Sequence, residues 1–413
     1  MQCSIAAALM TLLTGACGGT NADVAMHEAE TLRAERDEWR GPKDGLVLLR
    51  RGVHAIVDTA VDPSRATSRM IVHLAETRFG PPPEREIVTF AAPGNAVVDA
   101  VRARLVRPDG EAPVRPATVT RRDDDDGAVD PGQGVWELAF DAIPPGAILE
   151  VVVELDVPGI LASDAQWLAA RGASTHELLL RYDIPSDAVG SFGAVNETTR
   201  PIVTEKDGYK IIALLLHDVP PREGEHPAYA RYVTTRATPR GYELPIARTW
   251  AEATAPYVAG LVAPTEGTHE GYAAPFTTAL TGKEAATAVF TWVRDRLQRE
   301  DALTARWDAA RGLVGPLEKN DLTQTDKVHL LRWLLDAAHV ESVFAMGRSA
   351  RYPRLEPTLP TPDAFDTPLV YVPAFDLWLD PACRECAPGE VRPALRGGAA
   401  ITLPAKAAPV ILR

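Results

Sequence analysis

The sequence predicts an α+β protein, with an N-terminal antiparallel β-sandwich followed by a domain of mixed helices and strands. Three observations carry this. The chain has 413 residues, more than one compact core usually holds. Across residues 45–245, short Val/Ile/Leu runs alternate with Pro, Gly and Asp, the pattern of short strands joined by turns. From residue 246 the apolar spacing changes to three and four residues, which is the period of a helix. With 46% hydrophobic and 24% charged residues there is ample side chain for two cores.

The first element is an apolar run from Ile5 to Leu13, too short for the ~20 residues that span a bilayer. Thr14, Gly15, Ala16 and Cys17 follow it, then Gly18 and Gly19. A short apolar stretch with small residues behind it fits a signal peptide. Small residues immediately before a cysteine resemble the lipobox of bacterial lipoproteins, although Thr14 stands where leucine is usual and no Lys or Arg precedes the run. Residues 1–17 are therefore expected to be a lipoprotein-type signal, with Cys17 lipidated. A plain secretory signal, or an apolar N-terminus of no significance, is the alternative. The expected location is the cell envelope, facing periplasm or exterior, with lipid as the membrane contact. Residues 18–44 are polar and read as a partly helical tether.

Within the β half, runs at 46–49, 87–90, 97–106, 135–140, 148–153, 178–182 and 210–216 read as strands. Arg107-Pro108-Asp109-Gly110 and Pro144-Pro145-Gly146 read as turns, because Pro presets φ and Gly tolerates positive φ. The acidic run Asp123–Asp126 lacks the glycine and glutamate placement of a calcium loop, so a solvated loop is expected there. His54, His73 and His217 fall among strands and read as surface or satisfied polar residues.

In the second half, residues 246–262 read as a helix. Thr281-Gly282-Lys283-Glu284 reads as a capping box opening another, with apolar positions at Ala285, Ala288, Val289, Trp292, Val293 and Leu297. A third helix is expected over 326–338, and strands over 342–346, 369–372 and 377–379.

Several functions are excluded by chemistry. The net charge of −13 and the lack of a Lys/Arg cluster argue against nucleic acid. No phosphate loop, dinucleotide fingerprint, His-Glu-x-x-His or Gly-x-Ser-x-Gly is present, and neither a metal nor a cofactor is expected.

The ordered pieces of residues 245–404 resemble the transglutaminase-like superfamily, whose fold is of papain-like type. Trp292-Val293-Arg294 corresponds to a Trp-Val-Arg helix. Thr323-Gln324-Thr325-Asp326-Lys327, running into Leu330-Leu331, corresponds to the segment Gly-Asp-Cys-Lys-Asp-Lys and its Leu-Leu helix. Phe365-Asp366-Thr367 stands for Phe-Asn-His, and Trp378-Leu379-Asp380-Pro381 for Trp-Leu-Asp-Pro. The β half is similar to the sandwich domain of unknown function that commonly precedes this superfamily. It shares Arg107-Pro108-Asp109-Gly110, the segment 143–149, Val219-Pro220-Pro221 and Thr249-Trp250. The implied boundaries are 45–245 for the sandwich and 246–413 for the transglutaminase-like domain.

The resemblance also implies a site. Such chemistry needs a thiolate, a histidine base and an aspartate that orients it. In this register the nucleophile position is Gln324, the histidine position is Thr367, and the aspartate is Asp380. An amide has no ionisable proton and cannot serve as nucleophile, so catalysis is expected to be lost. Asp380 has a plainer reading as the start of a turn. Cys383 and Cys386 lie just beyond it, and a disulfide is expected in an oxidising compartment. The expected function is a non-catalytic binding or scaffold module for a peptide, glycan or envelope protein. The alternative is an enzyme acting on peptide amides through Cys383 or Cys386.

Overall fold

The computed structural model describes residues 26–41, 45–59, 65–122, 133–170, 172–195, 197–221, 229–237, 244–245, 247–261, 276, 280–295, 322–352, 355, 357–361 and 364–412. The expected signal peptide with Cys17, and the acidic run Asp123–Asp126, lie outside these residues. Among the described residues no helix is long and apolar enough to cross a membrane.

Helix α1 (Ala29–Glu38) comes first. Fifteen strands follow: β1 (Leu46–Ile56), β2 (Thr67–Arg78), β3 (Arg85–Pro93), β4 (Val97–Arg107), β5 (Gly110–Val114), β6 (Thr118–Arg122), β7 (Gln133–Asp141), β8 (Ile148–Pro158), β9 (Ser163–Trp167), β10 (Ser174–Pro185), β11 (Val189–Val195), β12 (Ile202–Lys206), β13 (Tyr209–Val219), β14 (Tyr229–Ala237) and β15 (Leu244–Pro245). Each apolar run named above falls inside one of them. The strands extend further than the runs because their remaining positions carry charged residues on the far face.

An eight-stranded sheet runs in the order β12-β13-β10-β1-β2-β8-β4-β5. Two smaller sheets, β3-β7-β6 and β11-β14-β15 with β9 beside β14, contribute to the same apolar core. Val72, Leu149, Val151 and Leu180 of the large sheet meet Phe90 and Leu138 of one small sheet and Tyr232 of the other. This is the layered packing of a sandwich. One pairing departs from the antiparallel expectation: β1 and β10 run parallel. Parallel neighbours need a long crossover, and here more than a hundred residues separate the two strands, so local sequence gives no sign of it.

Residues 18–44 were expected to be a tether, and the described part of that segment is docked instead. Ala29, Leu32 and Trp39 are buried against Val47, Leu49, Ala75, Val106 and Ile148. Its three buried apolar residues among many charges give a weak signal in sequence, but they all fall on one side of the chain.

The second half begins with α2 (Trp250–Ala253) and α3 (Ala255–Ala259), where one helix over 246–262 was expected. Pro256 has no N–H to continue the ladder, so the chain restarts at Thr254. Helix α4 (Gly282–Arg294) forms, but the expected capping box does not: Thr281 makes no side-chain cap bond, and Gly282 sits at φ +56°, off the helical geometry a box requires. Helix α5 (Gln324–Ala337) does carry one. The Thr323 hydroxyl accepts from the Asp326 amide, and the Asp326 carboxylate accepts from the Thr323 amide.

Five antiparallel strands complete the chain: β16 (Val343–Arg348), β17 (Thr367–Val372), β18 (Leu377–Leu379), β19 (Ala399–Leu403) and β20 (Val410–Ile411), in the order β18-β17-β16-β19-β20. Helices α4 and α5 cover one face, where Val289, Phe290, Leu331 and Leu335 meet Val370, Val372 and Leu379. The protein is thus α+β and mainly β, and the apolar clusters of its two halves share no residue.

Candidate functional site

The site is assembled at the N-terminus of α5 and the ends of two strands. The Thr323–Asp326 box fixes the first turn of α5 and places Gln324 as its first residue, buried. Thr367 opens β17 opposite Gly347 of β16, and its hydroxyl donates to Asp366 Oδ1 at 2.8 Å. Asp380 follows β18 and is 0% exposed.

A carboxylate with no access to water needs a partner, and the partner is Arg392. Its Nε donates to Asp380 Oδ2 at 2.7 Å, its Nη2 to Oδ1 at 2.7 Å, and its backbone amide to Oδ2 at 3.2 Å. The same Nη2 lies 3.5 Å from Gln324 Oε1. Two of the three expected positions, Gln324 and Asp380, are therefore brought to one guanidinium. The third, Thr367, is turned to Asp366. Burial works against the charge on Arg392, but the hydrogen bonds and charge of Asp380 outweigh it and hold the guanidinium above its ordinary range. The Asp380 carbonyl also accepts from the Cys383 amide at 3.1 Å, so the expected turn forms through the backbone while the side chain serves Arg392.

Arg392 was not among the candidate residues. It sits in a Pro-rich loop with no periodicity. The one available signal was indirect: a buried aspartate needs a cation, and Arg384, Arg392, Arg396, Lys406 and Arg413 are those that follow it.

Beside the site, Cys383 and Cys386 form a disulfide, and both are buried. Neither sulfur is then available as a thiolate. Arg294, the last residue of α4, ties this loop to α5. Its Nη1 donates to the Cys386 carbonyl at 3.0 Å, and its own carbonyl accepts from Lys327 Nζ at 3.1 Å. Lys327 is fully buried. Burial, then the nearby Arg384 charge, lowers its ammonium to about 8, with Asp295 and Asp380 acting in the opposite direction. Among the described residues the three expected positions supply donors, acceptors and charge, with no thiol at Gln324 and no imidazole at Thr367.

His27, His73 and Glu150 are the one group among the described residues with metal-ligand spacing, their ligand atoms lying within 4.8 Å of one another. The geometry does not suit a metal. The two imidazoles stack at 4.4 Å and 19°, which directs their lone pairs side by side instead of at one point. Arg50 and Arg104 also contact the group. His54 bonds Asp183 and His73 bonds Glu150, matching the reading of these histidines as satisfied polar residues.

No family model and no curated protein matches the sequence. Among solved structures, the chain is similar to a protein of Parabacteroides distasonis ATCC 8503 described as a "putative protease". The TM-score is 0.56 at 12% identity, covering 89% of this chain and 72% of that one. At this identity the likeness concerns the fold. An M1 zinc metallopeptidase of Deinococcus radiodurans matches at a TM-score of 0.26 and 13% identity over 46% of this chain and 42% of its own, which carries no argument.

Proposed function

We propose that this chain is an exported cell-envelope lipoprotein whose second half is a transglutaminase-like domain without catalysis, serving as a binding or scaffold module. The observation that supports it best is Arg392 on Asp380. In an active site of this kind the aspartate orients an imidazole. Here a guanidinium takes both carboxylate oxygens and reaches the residue at the nucleophile position. Loss of a nucleophile costs roughly six orders of magnitude in kcat in a comparable triad. The ordered resemblance of residues 292–294, 323–331, 365–367 and 378–381 supports the superfamily, and the apolar run ending at Cys17 supports the anchor. The partner of such a module is a peptide, a glycan or an envelope protein.

The test is an assay of the purified mature protein for hydrolysis or cross-linking of glutamine-containing peptides, with an Asp380→Ala variant alongside. No turnover above the variant is expected. Turnover that disappears in the variant overturns the non-catalytic reading. Metabolic labelling with a fatty-acid analogue, lost on Cys17→Ala, checks the anchor separately.

A further inference from the structure

Residues 26–39 lie on the outer face of the eight-stranded sheet, held at their start by a cluster of charges. The His27 amide donates to Glu150 Oε1 at 2.8 Å. His73 Nε2 shares that oxygen at 2.8 Å, and Arg104 Nε donates to Oε2 at 2.6 Å. Arg104 also bonds the His27 carbonyl. The His27 ring is stacked on His73 on one side and lies 3.1 and 3.2 Å from Arg50 Nη1 through its two nitrogens. A proton on that ring would bring a third positive charge among Arg50 and Arg104, beside an imidazole already bonded to Glu150, the carboxylate that accepts from the His27 amide.

We propose that this arm is a proton-released strap: acidification frees residues 26–39 from the sheet and uncovers the apolar patch of Val47, Leu49, Ala75, Val106 and Ile148. Every element packed around His27 contributes a charge. These are Arg50 of β1, His73 of β2, Arg104 of β4, Glu111 of β5, Glu150 of β8, Glu177 of β10 and Glu35 of α1. Glu150 favours a proton on His27, but burial, His73, Arg50 and Arg104 outweigh it. The acids are otherwise engaged, Glu35 and Glu177 by Arg50, Glu111 by Arg104, and Glu150 itself by His73 and Arg104.

Burial, then His73, then Arg50 lower the docked ring from 6.5 to about 3. The docked arm excludes a proton that the free arm binds. Docking is therefore full above 6.5 and weakens as pH falls toward about 3, by up to about tenfold per pH unit. Glu150 acts in the same sense at lower pH. Burial raises it, but bonds from His73, the His27 amide and Arg104 more than offset this and leave it below 4.5, so its contribution fades as pH drops through and below that value.

Amide hydrogen exchange of the full chain, corrected for intrinsic rates, tests this between pH 7.5 and pH 5. Protection of α1 is expected to fall about thirtyfold while the β8 amides hold theirs. Unchanged protection in α1, or an equal loss in β8, overturns the proposal. In His27→Gln the pH dependence of α1 is expected to vanish; its persistence also overturns it. Where that substitution undocks the arm outright, an NMR titration of the wild-type His27 ring decides: a midpoint far below 6.5 supports the strap, and one near 6.5 refutes it.

Discussion

Arg392 grips both oxygens of Asp380 at 2.7 Å each, and the arm that does so reaches within 3.5 Å of the Gln324 amide. The carboxylate is 0% exposed and the guanidinium 22%. Removing one partner of such a pair strands a buried charge, whereas the pair itself stabilises little over an apolar substitute. Arg392→Ala is expected to cost about 3–5 kcal/mol in urea unfolding. The double variant Arg392→Met with Asp380→Leu is expected to recover most of that loss. A single variant within about 1 kcal/mol of wild type would contradict the pairing.

The first turn of α5 combines a helix N-terminus with this guanidinium, and both favour an anion. Gln324→Cys is therefore expected to give a thiol that ionises well below the usual 8.5 or so. Its rate of alkylation against pH reads the midpoint directly, with wild-type protein as blank. A midpoint at or above about 8.5 would show that the environment does not favour an anion. No peptide turnover is expected to accompany it, since Thr367 supplies no base and Asp380 remains engaged.

Cys383 and Cys386 close a loop of four residues, with Cα atoms 5.4 Å apart. Under denaturing conditions the mature chain is expected to show neither of these sulfurs as a thiol until reduced, and then both. In the chain-entropy picture so small a loop stabilises by about 2 kcal/mol, so Cys383→Ser with Cys386→Ser is expected to lose that much. Two titratable thiols before reduction would reopen the reading in which one of them is a nucleophile.

Much of this was legible in the residues, for reasons that separate what was read from what was not. The strands were legible because a sandwich buries one face of each, leaving apolar residues at short regular intervals. Helix α5 was legible from Val328, Leu331 and Leu335, although its start at Gln324 depends on the Thr323–Asp326 capping box. The parallel β1–β10 pair was not, because register between strands so distant in sequence is set by the whole sheet. Arg392 was not, because a loop residue has no period to reveal its target. The docked arm was missed because its charged residues resemble a solvated tether, while their partners Arg50, Arg104 and Glu150 lie far along the chain.

Glu76 on β2 is a buried carboxyl whose neighbours do not charge it. Its Oε1 has no hydrogen-bond partner among the described residues, and Glu86 beside it is taken by Arg78 at 2.7 Å. Burial, then the Glu86 charge, raises Glu76 from 4.5 to about 8, with Arg78 opposing. A carboxyl raised on folding is neutral in the fold and charged in the unfolded chain between those values. Its contribution to stability is thus fully present below 4.5 and is lost as pH rises toward about 8. Each pH unit in that window removes up to about 1.4 kcal/mol. Glu76→Gln keeps the shape and removes the proton, so the difference in unfolding free energy between wild type and variant is expected to move steadily in the variant's favour from pH 5 to pH 8. A difference that stays constant across that window would mean that Glu76 is charged in the folded protein, with water or a cation reaching it.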